Sequence, residues 1–297
     1  GRIAALEPNI QDICKQLLDD AQSKLASTGS FDILADYAEP LPVLVIADLL
    51  GVPRDMANDL RRWSQDIVKM YEYGRTREQE LSAQKAGLEF SSYIADLAAK
   101  RKVDPQSDLI TALVEVEEQG EKLNEHELIA MCVLLLNAGH EASVNGFGNG
   151  MVAMFRNADQ LELMKSSPRE LTETALEEMM RFDSPLHMFE RTATSETVIG
   201  QTTVLEGQKV VAMLGSANRD EEVFEDTDRF DITRKHNPHI AFGAGIHFCI
   251  GAPLARLEMQ NSLPMLFERF PDLKLAGDPV QRPTFVLRGW ETIPAKN

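Results

Sequence analysis

One cysteine sits where its sulfur could act. Cys249 lies in the run Ala241-Phe242-Gly243-Ala244-Gly245-Ile246-His247-Phe248-Cys249-Ile250-Gly251-Ala252-Pro253. A helix-spaced apolar series follows it through Leu254, Leu257, Leu263, Leu266 and Phe267. Pro253 suits a first helical turn, where its missing N–H removes no bond. Cys249 is therefore placed at or just before a helix N-terminus, where free amides and the helix dipole favour an anion and hence the thiolate. The flanking glycines let backbone N–H groups come close to the sulfur. A thiolate held this way is a nucleophile or a metal ligand. Two other readings stand beside it. A lone cysteine is most often a small core hydrophobe, and a Gly-rich loop before a helix can cradle phosphate. No Gly-Lys-Ser/Thr follows these glycines, which weakens the phosphate reading. Cysteine hydrolase chemistry would need a base and an orienting group, and His247 alone does not supply them.

A second set of candidates lies on the longest expected element. Asn124-Glu125-His126-Glu127 reads as a capping box, and a helix is expected from there to about Arg156, roughly 50 Å long at 1.5 Å per residue. From Leu128 to Phe155 its only formally charged residue is Glu141. A helix apolar on nearly all sides is buried, and Asn137, His140 and Glu141 interrupt the run that a membrane span would require. Gly146, Gly148 and Gly150 are expected to mark close packing. Ala138-Gly139-His140-Glu141-Ala142-Ser143 differs: small residues and one carboxylate in mid-helix could admit a ligand against the backbone. Ser167-Pro168-Arg169-Glu170 signals the start of another helix, running to Phe182, with Ser167 as cap. It carries Glu178 and Arg181 on one face. Taken alone, that pair is a surface salt bridge worth under about 1 kcal/mol.

Around these lie further expected helices over 3–26, 44–50, 55–71, 76–101 and 107–119. Pro40 and Pro42 punctuate the chain before the second of them. Strands are expected near Val198-Ile199, Thr203-Val204-Leu205, Val210-Val211-Ala212, Leu273-Lys274-Leu275 and Phe285-Val286-Leu287. The chain reads as mainly α with small β-sheets, a single domain over 1–297. Apolar residues make up 43% and charged residues 26% of 297 residues, and 30 basic against 47 acidic side chains leave a net charge of −17. That balance argues against nucleic acid as a main partner. The three cysteines, Cys14, Cys132 and Cys249, are too far apart in sequence for a zinc pattern or a disulfide framework, which fits a reducing cytosol. Neither a signal peptide nor an uninterrupted membrane span is visible.

Phe242-Gly243-Ala244-Gly245-Ile246-His247-Phe248-Cys249-Ile250-Gly251 resembles the haem-binding loop of the cytochrome P450 family, Phe-Gly-x-Gly-x-x-x-Cys-x-Gly, in full. Glu178-Met179-Met180-Arg181 resembles the family's Glu-x-x-Arg helix, and Arg229 fits the third member of its structural triad, so the resemblance implies that Glu178 and Arg181 are buried in a structural triad and do not form a surface pair. The order of these parts is similar from start to finish. The resemblance implies haem b with Cys249 as axial thiolate to the iron, Arg191 and His247 on the propionates, and Phe242 over the thiolate. Gly243 belongs to the same loop, and Ala138 and Gly139 to the helix facing the cofactor. Glu141 and Ser143 are the implied proton relay, because Ala142 stands where the family usually has Thr. Asn137, His140, Pro185 to Phe189 and Phe285 to Leu287 would line the pocket. The implied activity is insertion of one oxygen atom from O2 into a small organic substrate. Electrons would come from a separate ferredoxin and ferredoxin reductase, with Arg256 a candidate docking contact. The alternative is a haem-binding protein without oxygenase turnover, a sensor or a degenerate paralogue. Gly1 to Asp20 resembles a region well inside the family fold, so the first part of that fold is expected to lie outside this sequence.

Overall fold

The structure is a computed structural model that describes residues 3–118 and 123–297. Ten α-helices carry it among the described residues: α1 Glu7–Thr28, α2 Pro40–Leu50, α3 Ala57–Ile67, α4 Arg77–Val103, α5 Leu109–Glu118, α6 Glu125–Arg156, α7 Ala158–Ser166, α8 Pro168–Phe182, α9 Leu214–Ala217 and α10 Ala252–Arg269. The strands are β1 Phe31–Asp32, β2 Phe189–Thr192, β3 Thr197–Ile199, β4 Thr202–Val204, β5 Lys209–Ala212, β6 Lys274–Leu275, β7 Val280–Gln281, β8 Trp290–Thr292 and β9 Pro294–Lys296. All pairings are antiparallel: β1-β9-β6 form one sheet, and β2-β5, β3-β4 and β7-β8 are ribbons. Mainly α with small sheets is therefore what the chain forms.

Local chemistry accounts for the boundaries. Asn124 accepts from the Glu127 N–H while Glu127 accepts from the Asn124 N–H, closing the expected capping box at the start of α6. Gly29 and Gly51 end α1 and α2 in the left-handed conformation that glycine adopts without steric cost. Pro40 and Pro42 do not break the chain before α2. They occupy its first turn, where proline is tolerated. Ser167 precedes α8 but makes no capping bond. α7 was not expected from the sequence, and Gln119, the expected end of α5, lies outside the described residues. Phe285 to Leu287 is not a strand. Leu287 makes only an isolated bridge to Leu186, and the Glu72 carboxylate accepts the N–H groups of Phe285, Val286 and Leu287 at 3.0, 3.2 and 2.9 Å.

Two hydrophobic cores meet on α6. Its first half packs Leu128, Cys132 and Leu136 among α2, α3, α4 and α5. Its second half packs Val144, Phe147, Met151 and Met154 with α1, α8 and α10. His140 and Glu141 lie at the join. By length and composition α6 could cross a membrane; here it is the spine between the two cores. The glycines of its second half are spacers. A Cβ on Gly146 would lie 2.8 Å from Met180 Sδ, one on Gly148 2.8 Å from Leu34 Cδ2, and one on Gly150 2.5 Å from Met179 Cβ.

Glu178 and Arg181 form no surface salt bridge. Both are fully buried. Arg181 grips Glu178 through Nε and Nη2, each at 2.8 Å, and donates to the carbonyls of Asn218, Thr227 and Arg229. Glu178 also accepts from the Asp231 N–H, Arg234 Nε and Asn237 Nδ2. The third member of this knot is therefore Arg234, not Arg229. The Arg229 carbonyl faces inward to Arg181 and its side chain stays exposed.

Candidate active site

The cysteine loop is built as its glycines require. Gly243 and Gly245 have φ of 71° and 65°, and a 3₁₀ turn over Gly245–His247 lies between Gly245 and Cys249. The Cys249 N–H donates to the Phe242 carbonyl at 2.8 Å, folding the loop back on its aromatic residue. α10 starts three residues after Cys249, with Pro253 in its first turn. The thiol itself is exposed. Cys14 and Cys132 are the opposite case: both are buried, and burial pushes each thiol up to about 12. The core-hydrophobe reading thus describes those two and not Cys249.

Everything from Ala244 to Ile250 is open. Ile246 is 98% and Ile250 88% exposed, which water disfavours for side chains of this kind. His247 is exposed in the same turn, and Arg191 is exposed on β2, its guanidinium 5.4 Å from the Phe189 ring centroid. Phe242 is buried behind the loop. On α6, Ala138 is exposed in mid-helix, whereas Gly139 turns to α2, where a Cβ would overlap Ile46 Cδ1.

Glu141 is buried and ion-paired. Arg282 donates to it through Nη1 at 2.8 Å and reaches Glu39 through Nη2 at 3.2 Å, while Arg61 also pairs with Glu39. His140 beside it is buried, and that burial lowers its ring to about 4. Neither ring nitrogen has a hydrogen-bond partner, and the same holds for Asn137 Oδ1. Ser143 faces elsewhere. It borders a small space shared with Tyr37, Glu258 and Ser262. Glu258 is buried in α10, and burial pushes its carboxyl up to about 8, so it holds its proton near neutral pH. The Ser262 hydroxyl in that space has no hydrogen-bond partner. Glu141 and Ser143 are thus not brought together.

The family model described as cytochrome P450 matches residues 2–286. The chain belongs to the cytochrome P450 family. It is 42% identical over 299 residues to cytochrome P450 107B1 of Saccharopolyspora erythraea, covering 99% of this chain and 71% of that one. It is 37% identical over 299 residues to the 6-deoxyerythronolide B hydroxylase of the same organism, covering 99% and 72%. Among solved structures, P450BioI in complex with a hexadec-9Z-enoic acid ligated acyl carrier protein superposes with a TM-score of 0.92 at 34% identity, covering 99% of this chain and 75% of that one. Cytochromes P450 are haem-thiolate monooxygenases that act on small organic molecules with O2, and the chain shares that chemistry and cofactor.

The residues present fit a haem. Its face is flat and apolar and its edge carries two carboxylates. The cysteine loop offers one accessible sulfur among exposed apolar side chains, and Arg191 and His247 are exposed cations or donors of the kind a carboxylate takes. Among the described residues no three His, Cys, Asp or Glu side chains cluster to hold a metal by themselves. An iron held by Cys249 would need further ligands, which a macrocycle would supply. Sequence reading missed Arg282, Glu258, Glu177 and Arg234. The one signal for Glu258 was a carboxylate inside the apolar stripe of α10.

Proposed function

We propose that this P450 hydroxylates or otherwise oxygenates a small organic substrate, with Cys249 as the residue that would hold the haem iron and a separate ferredoxin-type protein as electron donor. The observation that carries this reading is the exposed thiol of Cys249 in a glycine-shaped loop at the N-terminus of α10. When bound, the haem supplies the oxygen-activating chemistry, and a thiolate ligand favours O–O cleavage. The chain's own residues do the rest. The loop presents the sulfur, exposed, three residues before the start of α10. Arg191 and His247 take the propionates. Ala138 gives the ring room on α6, with Gly139 setting the distance of that helix from α2, and Gly243 lets Phe242 close under the loop. The two hydrophobic cores act as one domain, because α6 belongs to both.

Two groups of α6 can handle protons. Glu141 is tied to Arg282, so it delivers a proton only if that pair opens. Ser143 borders the same small space as Glu258, whose buried carboxyl keeps its proton near neutral pH. We therefore assign the relay to Ser143 backed by Glu258, and to Glu141 the holding of charge at the join of the two cores. The unpartnered Asn137 and His140 suit a substrate with a polar group. The test is the ferrous CO spectrum. Wild type should show the red-shifted Soret band of a thiolate ligand, and Cys249→Ser should lose it. A band that survives the substitution refutes the ligand assignment. Product formed per electron pair should fall in Ser143→Ala and in Glu258→Gln, and stay near wild type if the relay runs elsewhere.

A further inference from the structure

Behind the cysteine loop lies an array that the haem ligation does not by itself require. Arg256 is on α10, two turns past Cys249, and Glu177 is on α8, next to the Glu178 of the buried knot. Successive helical residues are turned by about 100°, so Glu178 faces the knot while Glu177 faces α10. Glu177 accepts from Arg256 Nε at 2.5 Å and from Arg256 Nη2 at 2.9 Å, a bidentate pair. Its Oε2 also meets His239 Nε2 at 2.6 Å. The Ala241 N–H donates to His239 Nδ1 at 3.2 Å, so the ring proton belongs on Nε2 and points at Glu177. The guanidinium of Arg256 lies over the Phe242 ring, 4.5 Å from its centroid, and the His239 ring is 5.9 Å from the same ring. Phe242 in turn accepts the Cys249 N–H. The chain of contacts runs Glu177, Arg256, Phe242, Cys249 without a gap. Burial would raise the Glu177 carboxyl, but the hydrogen bonds from Arg256 and His239 outweigh it and hold the group down at about 2. Arg256 is kept charged first by its bond to Glu177, against the cost of its partial burial.

A docking contact needs a free guanidinium. Here one edge of the guanidinium is spent on Glu177 and its face on Phe242. We propose that Arg256, oriented by Glu177, is a positioning residue for the ligand loop: it packs on the Phe242 ring and sets a fixed positive charge behind the loop that carries Cys249, so that the pair tunes the electron affinity of the bound iron. This rests on Cys249 being the ligand. Adding an electron at the iron adds negative charge nearby, which Arg256 favours and Glu177 opposes. The two residues therefore act with opposite sign.

The experiment is a redox titration of the haem-loaded protein, read together with hydrogen exchange of the Cys249 amide. Arg256→Gln should shift the potential negative, by about tenfold in the reduction equilibrium, or about 59 mV for one electron. Glu177→Gln, which keeps the shape of the side chain, should shift it positive. Arg256→Lys should keep the potential closer to wild type yet speed exchange of the Cys249 amide, because the stacking and the bidentate grip are lost. If Arg256→Gln does not load haem, Glu177→Gln alone decides: a positive shift supports the proposal, and no shift or a negative one overturns it. Shifts of the same sign in both variants overturn it as well, since a merely structural role would produce them. Cys249→Ser separates the two levels. If it loses the thiolate band while the shifts fail, only the role of Arg256 falls. If the band survives, the ligand assignment falls and this inference with it.

Discussion

Glu258 gives the clearest test at the scale of single residues. Its ordinary carboxyl value is about 4.3, and burial raises it to about 8 in the fold. The folded state thus holds this proton more tightly than the unfolded state. The stability it contributes is full below about 4.3 and is lost progressively as pH rises toward and through 8. Glu258→Gln cannot ionise, so its melting temperature relative to wild type should rise between pH 5 and pH 9. A difference that does not change with pH would show that Glu258 is not buried as a proton-holding acid. Glu177 and His140 act at the other end. The depressed Glu177 supports the fold above about 4.3, and that support fades as pH falls toward 2. His140, lowered to about 4, makes the fold lose stability as pH falls from about 6.5 to 4, because the unfolded chain takes up a proton that the buried ring refuses. The loop of Phe242 to Cys249 was legible in the sequence because its turns are set by neighbours a few positions away. Glu258, Glu177 and Arg282 were not. Arg282 meets Glu141 across 141 positions, and no local pattern records such a meeting.

Arg234 and Arg229 separate two accounts of the same element. Arg234 Nε lies 3.2 Å from the fully buried Glu178, whereas the Arg229 side chain is exposed. Arg234→Ala should cost about 3 kcal/mol, since a buried charge loses one of its partners, and Arg229→Ala should stay within about 0.5 kcal/mol. Urea midpoints of the two variants check this. The sequence pointed to the triad but not to its third member, because which arginine turns inward depends on a carbonyl, that of Arg229, being claimed by Arg181. The glycines of the helices divide in the same way. Gly87 in α4 has nothing within 4 Å of where a Cβ would sit, so Gly87→Ala should stabilise by about 0.5–1 kcal/mol through helix propensity and the entropy of the unfolded chain. Gly150→Ala should instead destabilise by about 1–3 kcal/mol, because its Cβ would overlap Met179. Thermal melts should move in opposite directions. Start signals and apolar runs located α6, α8 and α10 well. Local pattern failed at Phe285 to Leu287, where β-prone residues are held by a carboxylate, Glu72, and not by a partner strand.

At the scale of the molecule, α6 joins two cores and the small sheets tie together parts of the chain that are far apart in sequence. Mainly helical architecture was readable from composition and spacing, but the sheet pairings were not, because two- and three-residue strands carry no pattern of their own. The sheet of β1, β9 and β6 is the case with most consequence. Phe31 pairs with Ala295, and the Ile293 N–H donates to the Asp32 carboxylate 261 positions away. On the ribosome, β1 therefore emerges long before the strand that completes it. At about 5–20 residues per second, that interval lasts roughly 10–50 s. Through it the backbone edge of Phe31 and Asp32 stays without its partner. Translation speed between these two segments thus sets how long this nascent chain needs shelter from other chains before its sheet can close.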